Sequence, residues 1–337
     1  MPEDSIEHID FDDLDRRAIS QPLVKHIYTA DPSAHVFNGR IYIYPSHDID
    51  TDIPFDDLGS HFAMEDYHVL SMDGPGAEII DHGVALDVKD VKWADKQMWA
   101  PDAAHKNGKY YLYFPAKRKD GVFQIGVAVG DQPEGPFIPQ DEPIKNSYSI
   151  DPAVFEDTDG SFYMYFGGIW GGQLQWYRQN QFYKDEEPAA DQPALGPLVA
   201  KLTDDMLEFA EEVREITILD ENGQPLLAGD NDRRFFEASW MHIYNGKYYF
   251  SYSTGDTHFV CYAIGDNPYG PFTYGGRILN PVVGWTSHHS IAEFEGKWYL
   301  FYHDSSLSKG VTHLRSVKMT EITYLEDGSI VTIDPYK

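Results

Sequence analysis

Five stretches of the chain place alternating aromatic and aliphatic positions directly after a turn that ends in glycine. They read NGRIYIYPS (38–46), NGKYYLYFP (107–115), DGSFYMYFG (159–167), NGKYYFSYS (245–253) and EGKWYLFYH (295–303). Three positions after each glycine stands a tyrosine: Tyr42, Tyr111, Tyr163, Tyr249 and Tyr299. A shorter apolar stretch precedes each turn, such as AHVF, WMHIY or HSIAEF. Alternation on both sides of Asn-Gly or Asp-Gly predicts a β-hairpin, so the chain predicts five.

A second repeat extends the first. IGVAVGDQPEGPF (125–137) and VCYAIGDNPYGPF (260–272) each follow their own hairpin and predict a third strand, a Pro/Gly turn and a short fourth strand. Four strands, five times, predict an all-β fold: a five-bladed β-propeller with four-stranded blades around a central funnel. A two-sheet sandwich has similar strand content, but the sameness of the units favours the propeller. Successive turn glycines lie 69, 52, 86 and 50 residues apart, so the blades carry unequal insertions. Polar insertions at 46–66 and 173–200 are placed to wall one end of the funnel. Helical periodicity is weak except at 204–214 (DDMLEFAEEVR), read as part of an insertion. Residues 1–25 form an acidic N-terminal extension, and 26–337 a single propeller domain.

Charge and composition narrow the function. The chain has 337 residues and sets 26 Lys and Arg against 55 Asp and Glu, a net charge of −29. Apolar residues at 42% and aromatics at 15% exclude a disordered acidic chain. Excess acid argues against nucleic acid as a partner. No apolar run approaches the ~20 residues that span a membrane. The single cysteine, Cys261, allows neither an internal disulfide nor a Cys-rich metal site. The N-terminus lacks the apolar segment of a signal peptide, so a cytoplasmic location is expected.

A propeller's inner strands aim their leading ends at the funnel. Eight residues before Gly39 and Gly296 stand Asp31 and His288; nine before Gly160 and Gly246 stand Asp151 and Glu237. Blade 2 has Ala100 in that register, with Asp102 two residues on. Hydrolysis of a glycosidic bond needs one carboxylic acid to protonate the leaving oxygen and a second carboxylate to activate water or attack the sugar. Glu237 is flanked by Phe235, Phe236 and Trp240, an apolar setting that keeps an acid protonated. Asp31 and Asp151 both precede proline, which fixes the backbone there; a plain Asp-Pro turn is the other reading. Trp99, Trp170, Trp240 and Trp285 are candidates for the wall behind a sugar ring, and equally for the core.

Together these segments resemble glycoside hydrolase family 43, five-bladed propellers that trim xylan and arabinan side chains and oligomers. The resemblance is carried by Asp31 in TADPSAHVFNGRIYIY, Asp151 in SIDPAVFEDTDGSFYMYFGG and Glu237 in FFEASWMHIYNGKYYFSYS. WAPDAAHKNGKYYLYF, two GPF segments and SHHSIAEFEGKWYLFYHD extend it over residues 28–316. It implies that Asp31 is the general base, that Asp151 raises the acid's pKa and helps hold the substrate, and that Glu237 is the general acid. The implied reaction is single displacement with inversion. The resemblance further implies one calcium ion on the propeller axis beside a histidine of SHHS. The register picks His288, and His289 alternates away; a metal-free His288 hydrogen-bonded to Asp31 or Asp151 is the alternative. Arg315, in THLRSVKM, is implied to reach the active centre, against the reading of an ordinary surface arginine.

The expected activity is therefore an exo-acting hydrolase releasing pentoses from xylo- or arabino-oligosaccharides, β-1,4-xylosidase first and α-L-arabinofuranosidase second. An arabinanase acting on α-1,5-arabinan and a non-catalytic sugar-binding propeller are the alternatives. No organic cofactor is expected, and a homo-oligomer is left open.

Overall fold

In the computed structural model, which describes residues 9–337 (the side chain of Gln179 aside), strand pairing turns the five hairpins into five separate sheets. Blade 1 runs Tyr28–Phe37, Arg40–Asp48, Asp66–Met72, Ile80–Asp87. Blade 2 runs Asp102–Lys106, Lys109–Arg118, Phe123–Gly130, Ile138–Pro139, with Ala94–Lys96 added to its second strand. Blade 3 runs Ala153–Glu156, Phe162–Phe166, Leu198–Lys201, Arg214–Glu215. Blade 4 runs Glu237–Tyr244, Lys247–Ser253, Val260–Gly265, Phe272–Leu279, and Ile218–Leu219 joins its outer strand in parallel. Blade 5 runs His289–Phe294, Lys297–Asp304, Ser316–Ile322. The first strands touch one another in a closed ring, each blade meeting the next and blade 5 meeting blade 1. That ring is a propeller and excludes the sandwich.

The turns behave as their residues demand. Asn38-Gly39, Asn107-Gly108 and Asn245-Gly246 all take positive φ at both positions, the type I′ signature that matches strand twist. The five repeat tyrosines are buried. Two residues further on, Tyr44 and Tyr165 donate across to the next blade, to the carbonyls of Pro133 and Pro268. Those prolines hold equivalent places in the two GDxP segments, so the second repeat supplies the acceptors that satisfy the buried phenols of the first.

Three details differ from expectation. Blade 5 has three strands rather than four, because after Ile322 the chain turns back on itself (Tyr324 pairs with Ile330) and then bridges to Leu279 of blade 4 through Ile333. Residues 204–214 are not helical. The Thr203 hydroxyl and the Asp205 carboxylate take the backbone N–H groups of Glu208 and Leu207, which competes with helix bonding. Met206 adopts a left-handed φ of 67° there. Of the expected extension 1–25, residues 1–8 lie outside the described residues. The rest forms a short helix, Phe11–Arg17, and docks on the C-terminal segment through Ile19 N–H to Pro335 O and Lys337 N–H to Arg17 O. Among the described residues no helix is long and apolar enough to cross a membrane.

Candidate active site

The leading ends of three inner strands are kinked at the acids. Asp31 and Asp151 have φ of 47° and 56°, and Ala238, next to Glu237, has φ of 63°. Pairing shifts register between Ala30 and Ser33 and between Glu237 and Trp240. Left-handed backbone is uncommon for residues other than glycine, though Asp tolerates it. Here it breaks strand alternation and brings the carboxyls to the wall of a shared cavity.

That cavity has two compartments. The inner one, about 320 Å3 including its mouth, is lined by Asp31, Asp151, Glu237, His288 and Arg315, with Trp99 and Ala100. The outer one, about 520 Å3, is lined by Phe55, Leu58, His61, Trp170, Phe236 and Trp285 among others. Phe62, Trp99, Glu237 and Thr286 line both, so the two are continuous and Glu237 stands where they meet.

Asp31 is held as an anion. Its Oδ1 accepts from Arg315 Nη1 at 2.9 Å and its Oδ2 from the Ser46 hydroxyl at 2.6 Å. Its backbone N–H donates to His303 Nδ1 at 2.9 Å. Burial by itself raises the pKa of Asp31; the Arg315 guanidinium, then His303, His288 and the Ser46 hydroxyl outweigh it and bring it down to about 2. Arg315 is in turn clamped by Asp48, which accepts from Nε at 2.9 Å and from Nη2 at 2.7 Å, a bidentate fork. The guanidinium also lies 4.8 Å from the centre of the Phe62 ring. Arg315 is 2% exposed, which rules out the surface reading.

Asp151 and Glu237 are pushed the other way. Burial is the largest cause for both; the charge of Asp31 adds to it for Glu237, which rises to about 8. Asp151 also lies well above the ordinary carboxylate range, through burial, Glu237 and Asp31. Both acids therefore resist ionisation. Ala238 N–H donates to Asp151 Oδ2 at 2.8 Å, which opposes the rise at Asp151 without cancelling it. One cavity thus contains a carboxylate that stays charged and a carboxylic acid that stays neutral at the same pH.

His288 sits with Nδ1 3.6 Å from Asp31 Oδ1 and 4.0 Å from Asp151 Oδ2. Burial pushes its pKa down to about 4, so the ring is neutral. His289 turns away and bonds the Ser251 hydroxyl at 2.6 Å. Asp102 lies away from both compartments: it accepts from Ser33, from His35 at 2.6 Å and from the N–H groups of Ala103 and Val154, fastening blades 1, 2 and 3 together. Trp99 lines both compartments, and Trp170 walls the outer one with its indole N–H on Glu187. Trp240 does not reach the cavity. The bulge after Glu237 directs it into the core, where its indole N–H bonds Ile291 O and its ring packs 5.4 Å from His35. Ser46, Asp48, Phe62 and His303, which complete the setting of Asp31 and Arg315, were not among the sequence candidates.

The family model described as Glycosyl hydrolases family 43 matches residues 80–330. A xylosidase/arabinosidase 43A from Humicola insolens is 67% identical over 324 residues, covering 93% of this chain and 99% of that protein. The crystal structure of a β-xylosidase/α-arabinofuranosidase from a compost microbial metagenome, a calcium-free form in complex with xylotriose, superposes with a TM-score of 0.93 at 66% identity, covering 94% of this chain and 98% of that one. A Xanthomonas citri enzyme complexed with xylotriose gives 0.93 at 62% identity, covering 97% of each chain.

Proposed function

The chain belongs to glycoside hydrolase family 43, and from that premise we propose that it is an exo-acting β-1,4-xylosidase with α-L-arabinofuranosidase activity, working by single displacement with inversion. The observation that carries this reading is the place of Glu237 at the junction of the two compartments. A terminal pentose fills the inner compartment, the rest of the oligosaccharide lies in the outer one, and the linking oxygen falls beside Glu237. That is where a neutral carboxylic acid is needed.

Glu237 gives its proton to the linking oxygen as the C1–O bond breaks. On the opposite face a water forms the new C1–O bond and passes a proton to Asp31, which Arg315 and Ser46 keep charged and fixed. Burial and the charge of Asp31 keep Glu237 protonated, and Asp151, beside it, is assigned the part of raising that pKa further and helping to hold the substrate. Solvent then returns a proton to Glu237 and takes one from Asp31.

His288 is the residue that would hold a calcium ion on the axis. Its neutral ring fits as one donor, and the oxygens calcium prefers would come largely from water, since Asp31 and Asp102 already accept hydrogen bonds. When bound, the ion would supply positive charge to the inner compartment. Strong chelation is expected to lower activity and melting temperature, and no change in either would remove the ion from the reaction.

Proton NMR of the first-formed sugar tests the main reading. A β-xyloside should release α-xylose, and release of β-xylose would overturn single displacement.

A further inference from the structure

Blade 1 carries a second cluster of ligating side chains, outside both compartments. His47 is the next-to-last residue of the second strand, and Asp66 and His68 are the first and third residues of the third. One ligand atom from each lies within 4.8 Å of the other two, the one group of its kind among the described residues. Asp66 and His68 share a face because strand side chains alternate. The three are half-buried rather than splayed into solvent. We propose that His47, Asp66 and His68 form a site for a divalent transition metal of the zinc class.

Three observations support the assignment. First, two imidazoles and one carboxylate suit zinc, cobalt or nickel, with a fourth position left for water; calcium would want oxygens instead. Second, the spacing fits. Metal–ligand bonds of ~2.0–2.2 Å set tetrahedral ligand atoms roughly 3.3 Å apart. His47 Nδ1 lies 2.7 Å from Asp66 Oδ1, a hydrogen bond whose proton the metal would replace as the pair opens to that distance. Third, the supporting shell is already built. Asp81 accepts from His68 Nδ1 at 2.9 Å, is itself fixed by Gly83 N–H at 2.8 Å, and bonds His26 on its other oxygen at 2.7 Å. A carboxylate holding the far nitrogen of a histidine is the usual way a metal ligand is oriented, and it leaves His68 Nε2 as the donor.

The site would do mechanical work. His47 and Asp66 flank residues 48–65, the segment whose Phe55, Leu58, His61 and Phe62 wall the outer compartment. A metal there would tie the two ends of that segment together, next to Ser46 and Asp48, which hold Asp31 and Arg315.

The test loads full-length protein with zinc, removes free metal by dialysis, and measures bound metal in the parent and in Asp66→Asn, His68→Gln and His288→Ala. About one equivalent should remain in the parent and in His288→Ala and be lost from both cluster variants. Cobalt in place of zinc should give a visible d–d spectrum that the cluster variants lack. Failure of the parent to retain metal, retention unchanged in both cluster variants, or loss in His288→Ala instead would overturn the assignment. Zinc should also raise the parent's melting temperature by a few degrees at roughly 100-fold excess over Kd, and leave His68→Gln unmoved.

Discussion

The two compartments of the cavity are built by different means. The inner one comes from one position in successive repeats: the leading ends of the blade 1, 3, 4 and 5 inner strands supply Asp31, Asp151, Glu237 and His288. It is polar, tightly hydrogen-bonded and charged. The outer one comes largely from segments that do not repeat, 55–62 and 169–171, and presents aromatic rings. Labour is divided between them. The repeat places reacting groups to within a hydrogen bond, because strands and their neighbours determine one another. The loops shape what is held beyond the scissile bond and leave the chemistry alone.

Substitutions can break that contrast. The largest effect belongs to Asp31→Ala. Removing the base should lower kcat roughly 10^2–10^4-fold, equally on aryl xylosides and on xylobiose; substantial residual turnover on either would assign the base elsewhere. Arg315→Met comes next. Without the guanidinium, the pKa of Asp31 climbs from about 2, because burial is then opposed only by the histidines and Ser46. Asp31 works only when ionised, so the acid limb of the kcat/KM profile should move to higher pH. Since Asp48 would be left buried and unpaired, Arg315→Met with Asp48→Asn keeps the test usable if the single variant unfolds. An unmoved acid limb in a folded variant would contradict the role given to Arg315.

Outer substitutions should do less and do it differently. Trp170→Ala is expected to raise KM for xylobiose and xylotriose a few-fold while kcat on an aryl xyloside stays close to the parent's. A collapse of kcat would show that the outer wall also sets the inner geometry. The smallest effect is on stability. The pKa of Glu237 is raised from 4.5 to about 8, so the folded state resists its ionisation, and the cost accumulates as pH climbs from the first value to the second. Glu237→Gln should therefore melt higher than the parent, by a margin that widens over that window. A margin independent of pH would mean that Glu237 ionises freely.

The same division explains what the sequence revealed. Counting back from the turn glycines finds Asp31, Asp151, Glu237 and His288 because a β-hairpin fixes where its first strand begins. The matching signal on the second strand was there to read: Ser46 and His303 each lie seven residues after their turn glycine, and both reach Asp31. Asp48 gave no such signal, standing among the many acids of PSHDIDTD, and only folding brings Arg315 to it from 267 residues away. Trp240 misled because a bulge, invisible to alternation, turns it into the core. The left-handed φ of Asp31 and Asp151 fits the Asp-Pro pairs in retrospect, but Asp-Pro turns are too common to single them out.

The direct measurement is the dependence of Glu237→Ala on the leaving group. A good leaving group departs without a proton, so kcat/KM on a nitrophenyl xyloside should fall far less than on xylobiose, by a ratio on the order of 10^2. Equal losses on the two substrates would mean that Glu237 is not the proton donor, and that neutral acid and charged base do not share this cavity.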